Sequence, residues 1–251
     1  MRVLDVDIVQ KRFPSPVPGQ PDTVALEGLK FEVPSGQFAC VLGPSGSGKT
    51  TLLQLVSGLD REYDGRITVA GQRPAEGPPL GYMFQSDRLM PWLTVLENVS
   101  LVATDAAQAK GMPKTLLELM ELGSSLQTYP NRLSGGMRRR AALARAFVNE
   151  PPLFLLDEPF ISLDAPVAQR LRQLLLELWQ AQGATIIFVT HDLREAIQLG
   201  DRILFMSSSP GRVALDHTID LGRPRKAEGE EIEEYRSYCL LYTSDAADEG
   251  L

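Results

Sequence analysis

A glycine-rich run has the residue types and spacing of a phosphate-binding loop. It consists of Gly43, Pro44, Ser45, Gly46, Ser47, Gly48, Lys49 and Thr50, which fits G-x-x-x-x-G-K-[ST] between a strand-like and a helix-like segment. The glycines let backbone N–H groups close around phosphate oxygens, and the helix start adds partial positive charge. We therefore expect Lys49 to reach the β- and γ-phosphates of a nucleotide and the Thr50 hydroxyl to ligate Mg²⁺. The alternative, a structural glycine–serine turn, gives the lysine no role.

Two adjacent carboxylates follow a second strand-like segment. Asp157 and Glu158 come directly after the apolar run Leu153–Leu156. Because a buried acid is costly unless a charge or a metal ion balances it, a bound Mg²⁺ would explain the pair. We expect Asp157 to order the ligand shell of the metal ion and Glu158 to polarise an attacking water. The alternative is that Asp-Glu-Pro only forms the turn before a helix.

Two further polar residues stand at predicted strand ends. His191 follows the apolar run Thr185–Val189 by two residues, and Gln85 directly follows the short run Gly81–Phe84. In open α/β sheets the carboxyl ends of the strands line the ligand crevice, so both side chains are candidates for the same site. Taken singly, a histidine or a glutamine is more often structural, and only the shared placement favours a function.

A second glycine pair lies at the start of a predicted helix. Ser134, Gly135 and Gly136 precede the helical run Arg138–Phe147, and backbone N–H groups at a helix start attract anions. One nucleotide does not need two such devices. Either they converge within one chain, or the second completes a site on another copy of the protein. A plain helix cap is the simpler alternative.

The elements that must position these residues can be read from the hydrophobic pattern. Leu153–Leu156 and Thr185–Val189 are typical of strands buried on both faces of a parallel sheet, whereas residues 94–148 show a helical pattern. Residues 1–12 alternate in polarity as an edge strand would. We predict an α/β fold with a mostly parallel sheet, flanking helices and an antiparallel β element, and this fold carries a helical subdomain.

The composition is that of an ordinary globular protein. Of 251 residues, 43% are hydrophobic and 23% are charged, and the net charge of −7 gives no reason to expect a nucleic-acid partner. The basic run Arg138–Arg140 is therefore predicted to be a solvated or interface face. No apolar run approaches the ~20 residues that span a bilayer. Met1–Asp7 lacks a basic-then-apolar leader, so we expect a cytosolic, non-exported chain.

The end of the chain does not continue the pattern before it. Residues 239–251 look like the one-frame translation of an adapter used to build sequencing libraries, so we predict a non-native tail there. The alternative is an ordinary frayed terminus. The two cysteines, Cys40 and Cys239, make neither a disulfide framework nor a zinc site.

The ordered set of motifs resembles the ATP-binding cassette ATPases over about residues 1–225. The matching stretches are GPSGSGKTT at 43–51, which ends at Thr51, then Gln85, LSGGM at 133–137, LFLLDEP at 153–159, SLD at 162–164 and His191. The resemblance implies one cassette domain over 1–237. Its P-loop NTPase core, of the RecA type, would occupy about 1–85 and 150–220, and its helical subdomain about 86–149.

The resemblance implies that active sites are shared between two cassettes. A homodimer, or a pair of related cassettes, would sandwich two ATP molecules. Ser134, Gly135 and Gly136 of one cassette would face the γ-phosphate held by Lys49 of the other. Asp164 would couple the two sites across the interface.

The resemblance also implies roles for side chains around the nucleotide. His191 would contact the γ-phosphate, and Gln85 would join Thr50 and Asp157 around Mg²⁺. Phe13, an aromatic residue well upstream of the phosphate loop, is the candidate to stack on adenine. The alternative for Phe13 is a core or edge aromatic.

Three features together look most like importers of nitrate, alkanesulfonates, taurine and similar small solutes. Met137 stands where many cassettes have glutamine, Ile161 and Ser162 stand where relatives often have a small residue, and the segment Gln85–Asn98 contains Met90 and Trp92. This segment would dock a cytoplasmic helix of a transmembrane permease, and core packing is the alternative. A separate solute-binding protein would deliver the solute. The chain would then be a peripheral ATPase at the cytoplasmic side of the plasma (inner) membrane, and its solute is left open.

Two other functions compete with this one. The first is a soluble cassette ATPase of DNA repair or translation, but such relatives usually carry tandem cassettes or a long coiled-coil insertion. The second is a scaffold with weak hydrolysis, which an intact set of Lys49, Asp157, Glu158 and His191 argues against.

Overall fold

A computed structural model of the chain describes residues 2–225, residue 229, residues 231–237 and residue 239. Of the predicted non-native tail, only Cys239 lies among them, and residues 240–251 fall outside the described residues. Cys239 is buried, and burial raises the pKa of its thiol. Of the described residues, those up to 78 and those from 185 onward form one compact unit, and residues 79–184 form a second.

The described part of the chain begins with three strands, continues through a helical stretch in its middle, and alternates between strands and helices over residues 153–206. The strands are β1 (Arg2–Phe13), β2 (Thr23–Pro34), β3 (Phe38–Leu42), β4 (Asp64–Val69), β5 (Gly81–Met83), β6 (Leu153–Asp157), β7 (Thr185–Thr190), β8 (Arg202–Met206) and β9 (Val213–Thr218). The helices are α1 (Lys49–Val56), α2 (Val95–Ser100), α3 (Asp105–Ala109), α4 (Met112–Leu119), α5 (Gly135–Phe147), α6 (Ala165–Gln182) and α7 (Leu193–Leu199). Among the described residues, no helix is both long and apolar enough to cross a membrane.

The first unit contains a three-stranded antiparallel sheet in the order β2–β1–β4. The alternation of β1 places Leu4, Val6 and Ile8 in the core, where all three are fully buried. The prediction that residues 1–12 form an edge strand is wrong, because β1 pairs with β2 on one side and with β4 on the other. A central antiparallel strand with one solvated face has the same alternation, so polarity alone could not separate the two cases.

A mostly parallel sheet forms the other half of the first unit. Strand β3 pairs in parallel with β7 and with β8, and β9 runs antiparallel along β8. Every residue of β7 is buried, which confirms the prediction of a strand covered on both faces. The parallel register sets Leu42 beside Thr190, so the chain leaves β3 and β7 at the same edge of the sheet.

The second unit joins a strand pair to most of the helices. Strands β5 and β6 are parallel, with Met83 beside Leu156, and all of β6 is buried as predicted. The region 86–149, predicted to be a helical subdomain, contains α2 to α5 and two short 3₁₀ turns. A reciprocal bond pair between Thr94 and Glu97 caps the start of α2, which explains why helical structure begins at that point.

Candidate functional site

The phosphate loop connects β3 to α1 in the first unit. Gly48 caps the helix in the left-handed conformation, with φ +86°, and offers no side chain to bond the first amide groups. Gly46 is also left-handed, with φ +83°, so the loop curves twice at residues without a Cβ. The residues Pro44, Ser45, Gly46 and Thr50 are exposed, whereas Ser47 is fully buried. A helix start that lacks a side-chain cap suits an anionic group.

Lys49 lies inside the curve of this loop. Its Nζ donates to the carbonyl oxygens of Gly43 at 2.7 Å and Pro44 at 2.8 Å, and the residue is only 7% exposed. These bonds hold a positive charge where the loop closes, beside the exposed Thr50. The residues therefore fit the phosphates of a nucleotide, with a lysine for the outer phosphates and a hydroxyl oxygen of the kind that Mg²⁺ accepts as a ligand.

The back of the phosphate loop packs against main chain, a feature that the sequence analysis missed. A Cβ on Gly211 would lie 2.1 Å from the carbonyl oxygen of Ser47, and a Cβ on Gly48 would lie 2.5 Å from Cδ2 of Leu26. Gly211 is fixed there by its N–H, which donates to Ala25 at 2.9 Å. Only glycine fits at this approach, but a lone glycine far downstream gives no sequence signal that connects it to the loop.

His191 lies beside the phosphate loop in the order of the strands. Because Leu42 pairs with Thr190, Gly43 and His191 are the next residues at adjacent strand ends. His191 is exposed, and the hydroxyl of Thr190 holds the turn after it by accepting from the N–H of Asp192 at 3.0 Å. The first unit thus brings together two of the predicted site elements.

Asp157 and Glu158 occupy the end of β6 in the second unit. Asp157 is 3% exposed, and its negative charge adds to the burial that raises the pKa of the Tyr82 hydroxyl. Glu158 adopts φ +45°, in the left-handed region that non-glycine residues rarely occupy. Such strain persists only where the surroundings impose it, and it is concentrated at functional sites. The carboxylate of Asp157 is therefore buried at the end of the strand, whereas the left-handed backbone at Glu158 ends the extended conformation before the next side chain.

Gln85 contacts Glu158 directly. Its Nε2 donates to Oε2 of Glu158 at 3.4 Å, so the amide oxygen is left as the acceptor end of the side chain. An amide oxygen and a carboxylate are both ligands that Mg²⁺ accepts. The second unit thus brings Gln85, Asp157 and Glu158 to the ends of two neighbouring parallel strands.

Arg139 holds the backbone at Gln85, which the sequence analysis missed. The prediction that Arg138–Arg140 form a solvated or interface face is wrong for Arg139, which is 5% exposed. Its guanidinium donates to the carbonyl oxygens of Phe84 and Gln85 and pairs with Asp87. Burial lowers the pKa of this guanidinium, and the charge of Asp87 opposes that shift.

Ser134 is the N-cap of α5. Its hydroxyl accepts from the N–H of Met137 at 3.2 Å, while Ser134 and Gly135 stay exposed. Gly136 is required by packing, because a Cβ there would lie 2.6 Å from Cγ1 of Val167 on α6. The segment is therefore a capped helix start, which agrees with the simpler alternative. It is also exposed at Ser134 and Gly135, so the N-terminus of α5 is accessible at the surface.

Asp164 and Phe13 are both on the surface. Asp164 precedes α6 at the N-cap position, is exposed, and makes no capping bond with its side chain. Phe13 is the last residue of β1 and is 38% exposed. The ammonium group of Lys11 lies 4.7 Å from the centre of its ring. The described contacts do not place either residue beside the phosphate loop.

A strand–loop–helix with lysine at the helix start, set on an α/β fold, defines a phosphate-loop nucleotide-binding protein. The ABC transporter family matches residues 26–161. The aliphatic sulfonates import ATP-binding protein SsuB of Bacillus cereus is 40% identical over 240 residues, covering 94% of each chain. SsuB of Bacillus subtilis is 38% identical over 224 residues, covering 88% of each chain. The chain therefore belongs to the ABC transporter family.

A solved structure agrees with this assignment. The ATP-binding cassette MJ0796, in a dimeric post-hydrolysis state bound to ADP and Pi, matches with a TM-score of 0.75 and 29% identity. The match covers 87% of this chain and 100% of that chain. The predicted fold class, α/β with a mostly parallel sheet, is confirmed.

Proposed function

We propose that this chain is the ATP-hydrolysing subunit that energises an importer of aliphatic sulfonates. The observation that most directly supports ATP binding and hydrolysis is the phosphate loop with its buried Lys49. The sulfonate assignment is supported by similarity to the SsuB proteins, which extends over most of each chain. The chain would work as a peripheral subunit on the cytoplasmic side of the inner membrane, with a permease and, indirectly, a solute-binding protein.

In this proposal the loop binds the nucleotide phosphates, and oxygen ligands nearby would hold Mg²⁺. The backbone N–H groups between Gly43 and Thr51, apart from Pro44, which has none, surround the phosphates, and Lys49 neutralises the outer ones. Thr50, Gln85 and Asp157 would supply the oxygen ligands for the metal ion. When bound, Mg²⁺ neutralises the charge that develops on the phosphate oxygens.

Glu158 is the general base of hydrolysis in this proposal. Its carboxylate accepts the proton of the attacking water, and the bond from Gln85 orients that carboxylate. His191, at the end of β7, contacts the γ-phosphate as a hydrogen-bond donor. The left-handed backbone at Glu158 supports the assignment, because it directs this side chain separately from that of Asp157.

The exposed start of α5 serves a second copy of the cassette. Ser134, Gly135 and Gly136 present a helix N-terminus, and in a head-to-tail pair they reach the γ-phosphate bound by the partner. Asp164 couples the two sites, and its exposure and lack of a capping bond leave the carboxylate available for this contact. Phe13 stacks on the adenine, for which its exposed ring at the end of β1 is suited.

The shared site can be tested with Ser134→Arg. A long cationic side chain blocks the helix start, so we expect the Mg²⁺-ATPase rate to fall at least about 100-fold, as when preorganised anion contacts are lost. The measurement is ATPase activity against protein concentration, which should rise more than linearly for the unchanged chain. Ser124→Arg, at an exposed serine of the same unit, is the control and should retain activity. A linear rate that Ser134→Arg leaves intact would mean that each chain hydrolyses ATP alone.

A cavity in the second unit is suited to a permease segment. It has a volume of about 330 Å³ and is lined by Tyr82, Phe84, Met90, Leu101 and Val102 among others. Trp92 is 69% exposed, so the alternative of core packing does not hold for this residue. Two of the lining residues, Leu101 and Val102, are themselves 59% and 44% exposed. Exposed apolar side chains at a cavity are typical of an interaction site, and we assign this cavity, together with the exposed Trp92 two residues after Met90, to a cytoplasmic helix of the permease.

The importer assignment can be tested by replacing SsuB in Bacillus subtilis. We expect this chain to restore growth of a strain without SsuB on ethanesulfonate as the only sulfur source. Trp92→Glu should abolish growth while purified protein keeps its ATPase within about twofold, since surface changes rarely alter the fold. Leu59→Glu, at an apolar residue that is 64% exposed in the first unit, should still grow. No growth with an unchanged chain that is active in the cell extract would contradict the sulfonate assignment.

A further inference from the structure

The side chain of Arg139 joins α5 to the segment that carries Gln85. The Nη1 atom donates to the carbonyl oxygen of Phe84 at 3.1 Å and lies 3.2 Å from Oδ1 of Asp87. The Nη2 atom donates to the carbonyl oxygen of Gln85. The guanidinium is 94% buried, so these partners replace the water that would otherwise solvate its charge. All of them belong to four consecutive residues, 84–87.

The contact is specific to Arg139 among the three consecutive arginines. Arg138 also pairs with Asp87, at 3.3 Å, but its side chain is 39% exposed and its Nη1 bonds to Leu133 just before α5. Arg140 points elsewhere and pairs with Glu121 at 2.9 Å. Of these three arginines, Arg139 is the one that donates to the backbone of Gln85 itself, while Arg145, later in α5, donates to the carbonyl oxygens of Asp87 and Arg88.

This contact is stiff for two reasons. A guanidinium is planar and presents its donors in fixed directions, so several bonds to one segment fix both its distance and its orientation. Arg139 also lies in the second turn of α5, a helix that begins directly after Ser134. A movement of the backbone at Gln85 must therefore move α5 or break buried, charge-assisted bonds.

We propose that Arg139 is a positioning residue that couples Gln85 to the start of α5. When Gln85 shifts on nucleotide binding, Arg139 carries the shift to Ser134, which then faces the partner cassette. The inference rests on the proposed roles of Gln85 and Ser134. It separates two events: ATP binding on the phosphate loop needs no Arg139, whereas the ATP-driven pairing of two cassettes does.

The test compares ATP affinity with ATP-driven pairing. Arg139→Gln is made in a Glu158→Gln background, where bound ATP is not consumed, and dimer formation is followed by light scattering as ATP is titrated. We expect the ATP concentration for half-maximal pairing to rise at least about tenfold, since charge-assisted bonds are lost. The dissociation constant for ATP, measured below the protein concentration at which pairs form, should stay within about twofold.

Matched variants keep the test decisive. Arg140→Gln, at the next residue of the same helix, should pair as the background does. Asp87→Asn removes the ion pairs of both Arg139 and Arg138 but keeps the Arg139 bonds to the backbone of Phe84 and Gln85, and it should shift pairing in the same direction by less. Should Arg139→Gln not fold, Asp87→Asn carries the test alone.

Two results would overturn the coupling: pairing unchanged in both variants, or an ATP affinity that weakens in parallel with pairing. A background chain that binds ATP but never pairs would instead overturn the proposed function.

Discussion

Replacing Glu158 with glutamine is expected to stop steady ATP hydrolysis while leaving ATP binding intact. Glutamine has the size of glutamate and can still accept the bond from Gln85, but it cannot take a proton from water. Loss of a general base costs about 10²–10⁴ in rate, so we expect Mg²⁺-ATPase activity to fall at least about 100-fold. Equilibrium dialysis with ATP should give a dissociation constant close to that of the unchanged chain.

Glu150→Gln is a closely matched control for this variant. Glu150 belongs to the same unit, is exposed, and also has a left-handed backbone, with φ +48°. The control therefore changes the same side chain on a similar backbone, away from Gln85. Normal turnover in Glu158→Gln would remove Glu158 from the role of base, and a comparable loss in Glu150→Gln would show that the effect is not local.

Lys49→Ala should produce the largest loss of nucleotide affinity. The variant removes the ammonium group that the loop holds with two carbonyl oxygens, and with it the charge that we propose for the outer phosphates. A bond to a charged group contributes roughly 1.5–3 kcal/mol, which corresponds to about a 10- to 100-fold weaker dissociation constant for ATP. Isothermal calorimetry with ATP and Mg²⁺ measures this constant directly.

A loss of stability could imitate this effect, so the thermal midpoint must be measured alongside. Alanine leaves the two carbonyl oxygens without their donor, and a modest decrease in Tm is expected. Lys30→Ala is the control, because Lys30 lies in the same unit, its side chain is 74% exposed, and it pairs with Asp7 at the surface. Unchanged ATP affinity in a folded Lys49→Ala protein would contradict the phosphate role of the loop.

Local patterns were sufficient wherever one stretch of chain determines its own structure. The phosphate loop could be predicted because its glycines, its lysine and the helix after it are consecutive. The fully buried strands β6 and β7 could be predicted because continuous apolar runs are uncommon outside such positions. The family, and with it the fold class, followed from the order of these motifs.

Contacts between distant segments could not be predicted in the same way. Arg139 reads as part of a basic surface run, and only the partners at Phe84, Gln85 and Asp87 show why its charge is buried. Likewise, Gly211 is one glycine among many until its approach to Ser47 is seen. In both cases the contacting residue lies far away in the chain, and the type of a single residue does not predict which distant residue it contacts.

Some predictions concern arrangements that only a bound nucleotide or a partner would create. Phe13 as the adenine contact and Asp164 as the link between cassettes stay predictions. The domain boundaries near 86 and 149 stay predictions as well, although they depend on neither a nucleotide nor a partner. The Ser134 variant tests whether two chains share the site, and the Glu158 variant tests the hydrolysis chemistry. A Phe13→Ala protein would test the contact with adenine.

The placement of β3 has a consequence for how the protein is made on the ribosome. This strand carries the phosphate loop, yet both of its neighbours, β7 and β8, lie at 185–190 and 202–206, and the loop's back wall includes Gly211. A nascent chain that has emerged only through the loop therefore has no partner strands to hold it. Nucleotide binding becomes available late in synthesis, after most of the chain has left the exit tunnel, so a shortened translation product would not compete for ATP.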